Sequence, residues 1–396
     1  MLKCLAEERY KDFVCMKKNI FRFIKVFCLM LAVVLSLGFL QEYVLCHADH
    51  NRQRIKGFYD EDKQSLDIVF LGASEVYSDF APGCAYQHSG ITSYLFATQA
   101  NSILNYKAQL KNILSRQNPQ LIVVELNGAL YGNEADVVKE ENLRNYADNV
   151  PLDCTKLEWI SDNVSENHQE YLFPILKYHG VWKDIPSNMK YQSTIAGDKM
   201  RGYNYLKGIL NETKVFRSPQ RSMNSTLSKL ADKKKPLTEI EEKNLRELLQ
   251  YCKDENLNNV VFVRFPHIVV MRTYERFERS NTIGDIVNEY GYDYLNLERD
   301  IAQTGIQDDK HFYNLDHLNV YGQKLFTEYL TDYFSKQYGV KPRELSGSQK
   351  AEWDECADYY SAYFNYSDSL IKKGETRELS EDNELIETLQ QYLPKK

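Results

Sequence analysis

The first strong pattern along the chain is a charge-free apolar run at residues 26–40 (VFCLMLAVVLSLGFL), preceded by Lys17, Lys18, Arg22 and Lys25. As a helix this run is about 22 Å long. Phe21, Phe23 and Ile24 before it and residues 43–45 after it extend it toward the roughly 30 Å of a hydrocarbon layer. Arg22 and Lys25 can reach headgroups along their aliphatic stems. No small-residue cleavage site follows, and the residue before Cys46 is Leu45, so the segment reads as a signal anchor rather than a removed leader. The basic excess precedes the span. It predicts a cytoplasmic segment at 1–25, a transmembrane helix at 26–45 and an extracytoplasmic remainder in a single-pass cell-membrane protein.

Beyond the span the pattern changes. A polar stretch at 46–65 reads as a stalk. Four short apolar runs follow, at 66–71 (LDIVFL), 121–126 (LIVVEL), 259–265 (NVVFVRF) and, more weakly, 292–297. Near-continuous apolarity over five or six residues is the mark of a strand buried on both faces. Between and after them, helical periodicity predicts helices over 101–116, 238–255, 273–290 and 320–337, the second opened by a Thr238–Glu241 capping box. Alternating strands and helices predict an α/β fold, a doubly wound, mostly parallel sheet over 66–336. The pattern lapses at about 130–235, which predicts a helical insertion capping the sheet, since an unstructured loop of that length is improbable. Residues 337–396 read as an acidic, helical C-terminal extension.

Composition narrows the classes. Over 396 residues, 49 Lys and Arg against 56 Asp and Glu give a net charge of −7, which argues against nucleic-acid binding. The 8 cysteines form no C-x-x-C pair and no cluster with histidine, so no metal or cofactor is implied. Outside the membrane, Cys84, Cys154, Cys252 and Cys356 would have access to one or two disulfides.

Candidate chemistry sits at the strand ends. Ser74 follows the first strand in Phe70-Leu71-Gly72-Ala73-Ser74-Glu75, where open α/β sheets place ligands. Alone, such a serine is commonly a helix N-cap. His317, in Asn314-Leu315-Asp316-His317-Leu318-Asn319, lies just before the last sheet helix and could reach Ser74 as a general base. Gly90, and Asn127 beyond the second apolar run, could supply oxyanion donors, although each also suits an ordinary turn. His179 and Trp182, in Tyr178-His179-Gly180-Val181-Trp182, could line a substrate groove with rings for sugar stacking.

Together these residues resemble the SGNH (GDSL-like) hydrolase superfamily, whose blocks are a Ser, a Gly, an Asn and a His in that order: here Ser74, Gly90, Asn127 and His317. Phe70 to Ser74, Glu125, Tyr178-His179 with Trp182, and His317-Leu318-Asn319 with Gly322 look like a membrane-anchored bacterial branch of it. That branch is similar to the alginate O-acetylation and lipoteichoic-acid D-alanylation proteins. The resemblance implies an SGNH (flavodoxin-like) fold, a polysaccharide or teichoic-acid-like substrate, and work beside a membrane-bound O-acyltransferase. It leads to the expectation of an extracytoplasmic serine O-acyltransferase or esterase modifying a cell-envelope polysaccharide through an acyl-serine. The alternatives are a polysaccharide deacetylase and a non-catalytic scaffold that presents glycan to a partner.

One departure matters. The superfamily writes its last block Asp-x-x-His, and the carboxylate position here is Asn314, with Asp316 directly before the base. Either Asp316 orients His317 through an altered loop, which is the first expectation, or His317 works with Ser74 alone, or the site is weakened.

Overall fold

The computed structural model describes residues 2–44, 49–186, 205–216, 227, 229–381 and 383–394. They fall into two compact units, one within Met1–His47 and Phe173–Gln192, the other within Ala48–Leu172 and Ser193–Lys396.

The first unit is built on the helix Leu2–Tyr43. Its stretch Met16–Gln41 is long and apolar enough to cross a membrane, and none of it is buried within the protein. Phe173 to Asp184 belong to the same unit and form the short helix Ile175–Tyr178 and the 3₁₀ turn His179–Asp184.

The second unit is α/β. Five parallel strands, β1 (Ile68–Gly72), β2 (Ser93–Ala97), β3 (Leu121–Glu125), β5 (Val260–Arg264) and β6 (Tyr294–Asn296), lie in the order β2-β1-β3-β5-β6. A separate antiparallel pair joins β4 (Leu210–Glu212) to β7 (Glu378–Ser380). Successive strand residues point to opposite faces, and both faces are covered. Ile68, Phe70, Val123 and Val261 pack with Phe80, Phe326, Phe334 and Tyr363 in one core. Val69, Leu71, Ile122 and Phe262 pack with Leu110, Leu249, Ile283 and Val287 in the other. This two-sided burial is why three of the strands read as unbroken apolar runs.

Two expectations change here. Residues 49–60 are not a stalk. Asp49 caps the helix His50–Asp60, which lies against β2. Its polar face is buried because it supplies main-chain partners: Arg54 Nε donates to Ala97 O at 3.1 Å, and the Arg54 guanidinium stacks on Tyr77 at 3.7 Å. Ile55 and Phe58 fill the core beneath, Phe58 packing 4.3 Å from the Phe96 ring centre. The C-terminal extension packs on the sheet domain. The helix Gly347–Lys373 sends Tyr359, Tyr360 and Tyr363 into the first core, and β7 completes a sheet with β4. Finally, Cys84, Cys154, Cys252 and Cys356 are all free thiols, three of them buried. Of the insertion, the helices Glu140–Ala147 and Cys154–Asn163 place Leu143, Tyr146 and Trp159 in the second core, while residues 187–204, 217–226 and 228 lie outside the described residues.

Because Phe58 is wholly buried, Phe58→Ala is expected to destabilise the domain by about 3–5 kcal/mol. Chemical denaturation of the detergent-solubilised protein reads this directly, and a solvated stalk would give no change.

Candidate active site

The strand order places β2 on one side of β1 and β3 on the other, so the chain reverses direction across the sheet at β1. The crevice beyond such a reversal is where open α/β sheets bind ligands. Gly72 ends β1 where a Cβ would stand 2.8 Å from both Glu125 Cβ and Val76 Cγ2, a separation no side chain tolerates. This close approach brings Ser74 to the edge of the sheet as the first residue of the helix Ser74–Asp79, after Ala73. Ser74 caps nothing. Its Oγ lies 2.8 Å from Nε2 of His317, and it remains partly open to solvent.

His317 is presented by a loop that its own polar residues hold closed. Asn314 Oδ1 accepts the backbone N–H groups of Asp316 (2.8 Å) and His317 (2.9 Å) and stands 3.1 Å from His317 Nδ1. Asn319 caps the helix Val320–Tyr338 by accepting from the N–H of Tyr321 and Gly322, both at 3.1 Å. Gly322 is required because a Cβ there would lie 2.2 Å from His311 O. The Tyr313 ring stacks on the imidazole at 5.3 Å and 11°. Two further ties hold this loop to the serine helix. Leu318 N donates to Asp79 Oδ1 at 2.8 Å, and Asn211 Nδ2 of β4 donates to both Ser78 O and Leu318 O at 2.8 Å.

These contacts settle the orientation of Asn314. Two backbone donors face one side-chain atom, which must therefore be the amide oxygen. An oxygen facing Nδ1 holds the proton on Nδ1 and leaves the lone pair of Nε2 toward Ser74. That is the tautomer a general base needs.

Asp316 does not take this role. Its backbone is consumed in the Asn314 turn, and its side chain faces the helix Tyr274–Glu289, where it pairs with Arg276. Despite its burial, Asp316 is held well below the usual carboxylate range by Arg276. It acts on His317 only as a nearby charge. Loss of solvent around the His317 ring lowers its pKa below 6.5, against the opposing charges of Glu75 and Asp316.

Under Ser74 lies a buried ionic layer drawn from four strand ends. Glu75 Oε1 faces His267 Nε2 at 3.1 Å, and His267 Nδ1 donates to Phe265 O at 2.8 Å. Arg264 donates through Nε to Glu298 (3.1 Å) and through Nη1 to Asn127 Oδ1 (2.8 Å), with Glu125 Oε1 at 3.5 Å. Burial tends to raise Glu75, but the hydrogen bond and charge of His267, aided by His317 and Arg264, bring it down to about 2. Burial and the Glu75 charge push Glu125 up to about 8, against the pull of Arg264. Near neutrality, Glu125 is thus protonated. Glu75 and Glu298 are left beside His267 and Arg264.

The same layer positions Asn127. Its N–H donates to Glu125 Oε1 at 2.8 Å and its amide oxygen is held by Arg264. That leaves the Nδ2 hydrogens without an acceptor among the described residues. Gly90 is elsewhere. It ends the helix Pro82–Ser89 with φ 77° and precedes β2, at the amino end of the sheet and opposite Ser74. The segment leaving the carboxyl end of β2 carries Ala100 at φ 47°, a conformation that favours glycine, and Asn101 Nδ2 binds Gly72 O at 2.9 Å. His179 and Trp182 lie in the unit of the N-terminal helix, and the His179 side chain is outside the described residues. Glu75, Arg264, His267 and Glu298 join the site without having been singled out for it. Their one available signal was position, at or just past the ends of apolar runs.

No family model matches the chain, and no curated protein matches it at a significant level.

A base that works neutral loses activity as pH falls through its pKa. Because that pKa is depressed, hydrolysis of an aryl ester is expected to hold its plateau to below pH 6.5. Asn314→Asp keeps the acceptor and adds a negative charge, so the acid limb should move to higher pH. Asn314→Ala should cost about 10²- to 10⁴-fold in kcat/KM. Identical pH profiles for wild type and Asn314→Asp would contradict this role.

Proposed function

We propose that the chain is a membrane-anchored serine acyl-transfer enzyme that acts outside the cytoplasm on a cell-envelope or exported polysaccharide. The observation that carries this reading is the 2.8 Å contact between Ser74 Oγ and His317 Nε2, with Asn314 Oδ1 behind the ring. Ser74 gives its proton to Nε2 as its Oγ bonds the acyl carbon of a donor ester. The Nδ2 hydrogens of Asn127 are available to the oxyanion. Collapse expels the donor alkoxide, which takes the proton from His317. A glycan hydroxyl then gives its proton to His317 and attacks the acyl-serine, restoring Ser74. If water replaces the glycan the outcome is ester hydrolysis, so transferase and esterase share every residue. The SGNH resemblance supports this chemistry and the choice of a polysaccharide acceptor, beside a membrane-bound O-acyltransferase as source of the acyl group.

The location rests on the apolar helix, with Lys17, Lys18, Arg22 and Lys25 gathered at the N-terminal end of the stretch Met16–Gln41. In this reading the α/β unit stands outside the membrane. A scaffold function is favoured by one observation only, the amide at Asn314 where the superfamily has a carboxylate.

The test is acyl transfer by the full chain in detergent, scored by mass spectrometry of the protein and the glycan. Ser74→Ala is expected to lose at least about 10³-fold activity with its thermal midpoint unchanged. Wild-type turnover by that variant would overturn the mechanism, and an inert but folded wild type would favour the scaffold.

A further inference from the structure

Trp182, a candidate ring for sugar stacking by sequence, belongs to the unit of the N-terminal helix rather than to the unit that holds Ser74. In its own unit the neighbourhood is unusual. Ile175 N approaches Gln41 Oε1 at 3.5 Å, so the segment begins beside the residue at which the apolar stretch Met16–Gln41 ends. From there the segment exposes three large apolar side chains within ten residues: Phe173 at 53%, Leu176 at 47% and Trp182 at 61%. Lys177 lies among them and Lys183 directly follows, both exposed. Apolar and aromatic rings mixed with basic residues suit the boundary between acyl chains and headgroups. A water-exposed loop gains nothing from such a set.

We propose that Phe173–Asp184 lies in the bilayer interface at the C-terminal end of the span, with Phe173, Leu176 and Trp182 entering the acyl-chain boundary and Lys177 and Lys183 facing anionic phospholipid headgroups. The partner is a glycerophospholipid leaflet. What recommends it is continuity with the apolar helix, since a chain that leaves a membrane at Gln41 holds anything packed on Gln41 at headgroup level. The inference rests on the membrane-anchor part of the proposed function and is independent of the serine chemistry. Trp182 then fixes the segment to the membrane surface instead of binding glycan.

The chain offers a direct readout. It has 3 tryptophans, of which Trp159 and Trp353 are 3% and 2% exposed. The full-length protein is placed in phosphatidylcholine–phosphatidylglycerol vesicles, its insertion is checked by flotation, and its emission is compared with that of Trp182→Phe. The difference spectrum isolates Trp182. The proposal expects a blue-shifted difference spectrum, quenched about twofold or more by lipids brominated near the headgroup, and protected from aqueous iodide. Floated protein whose Trp182 emits as in water, and is quenched by iodide but not by brominated lipid, would overturn the interfacial segment while leaving the anchor intact. Protein that fails to float would overturn both, and neither result touches the Ser74 mechanism.

Discussion

The candidate site depends on one constraint: three carboxylates, an arginine and a histidine must be buried together where β1, β3, β5 and β6 end. A buried charge without a partner costs several kcal/mol, and removing one member of a buried pair costs about 3–5 kcal/mol. The chain meets this by protonating Glu125 and pairing Glu75 and Glu298 against His267 and Arg264. The contacts that balance these charges also set positions. Glu75 is the neighbour of Ser74, and Arg264 holds the amide oxygen of Asn127. Both faces of the crevice are thus fixed to one rigid layer, and Gly72 is what lets β1 come close enough to Glu125 to share it.

Above this layer the catalytic question reduces to one oxygen atom. A carboxylate behind an imidazole supplies an acceptor and a charge. Asn314 supplies the acceptor alone, and two backbone N–H groups prevent its amide from turning the wrong way. Charge comes from further off, from Glu75 and Asp316. The arrangement keeps His317 in the tautomer the proposed mechanism needs, while stabilising an imidazolium less strongly than a directly bonded carboxylate.

Much of the fold was legible because burial on both faces leaves an unmistakable mark. The runs LDIVFL, LIVVEL and NVVFVRF became β1, β3 and β5, and Ser74 and His317 meet as their places at strand and helix ends suggested. What escaped had its apolar surface supplied from elsewhere. β2 (Ser93–Ala97) begins with a serine, and its cover is the polar helix His50–Asp60, whose arginine and asparagine side chains serve main-chain carbonyls and one another. Because β2 begins at Ser93, Gly90 falls at the amino end of the sheet, away from Ser74. Asp316 was preferred over Asn314 on charge, but in a tight turn the side chain three residues back returns to the ring while the adjacent one points away.

The proposed role of Ser74 depends most directly on where the proton of neutral His317 resides. Selective ¹⁵N labelling of the 8 histidines in the detergent-solubilised chain, with His317 assigned by substitution, reads this by two-bond proton–nitrogen correlation above pH 7. The expected result is a protonated Nδ1 and a bare Nε2 facing Ser74 Oγ. A proton on Nε2 would make His317 a donor to the serine, and the proposed base would not exist.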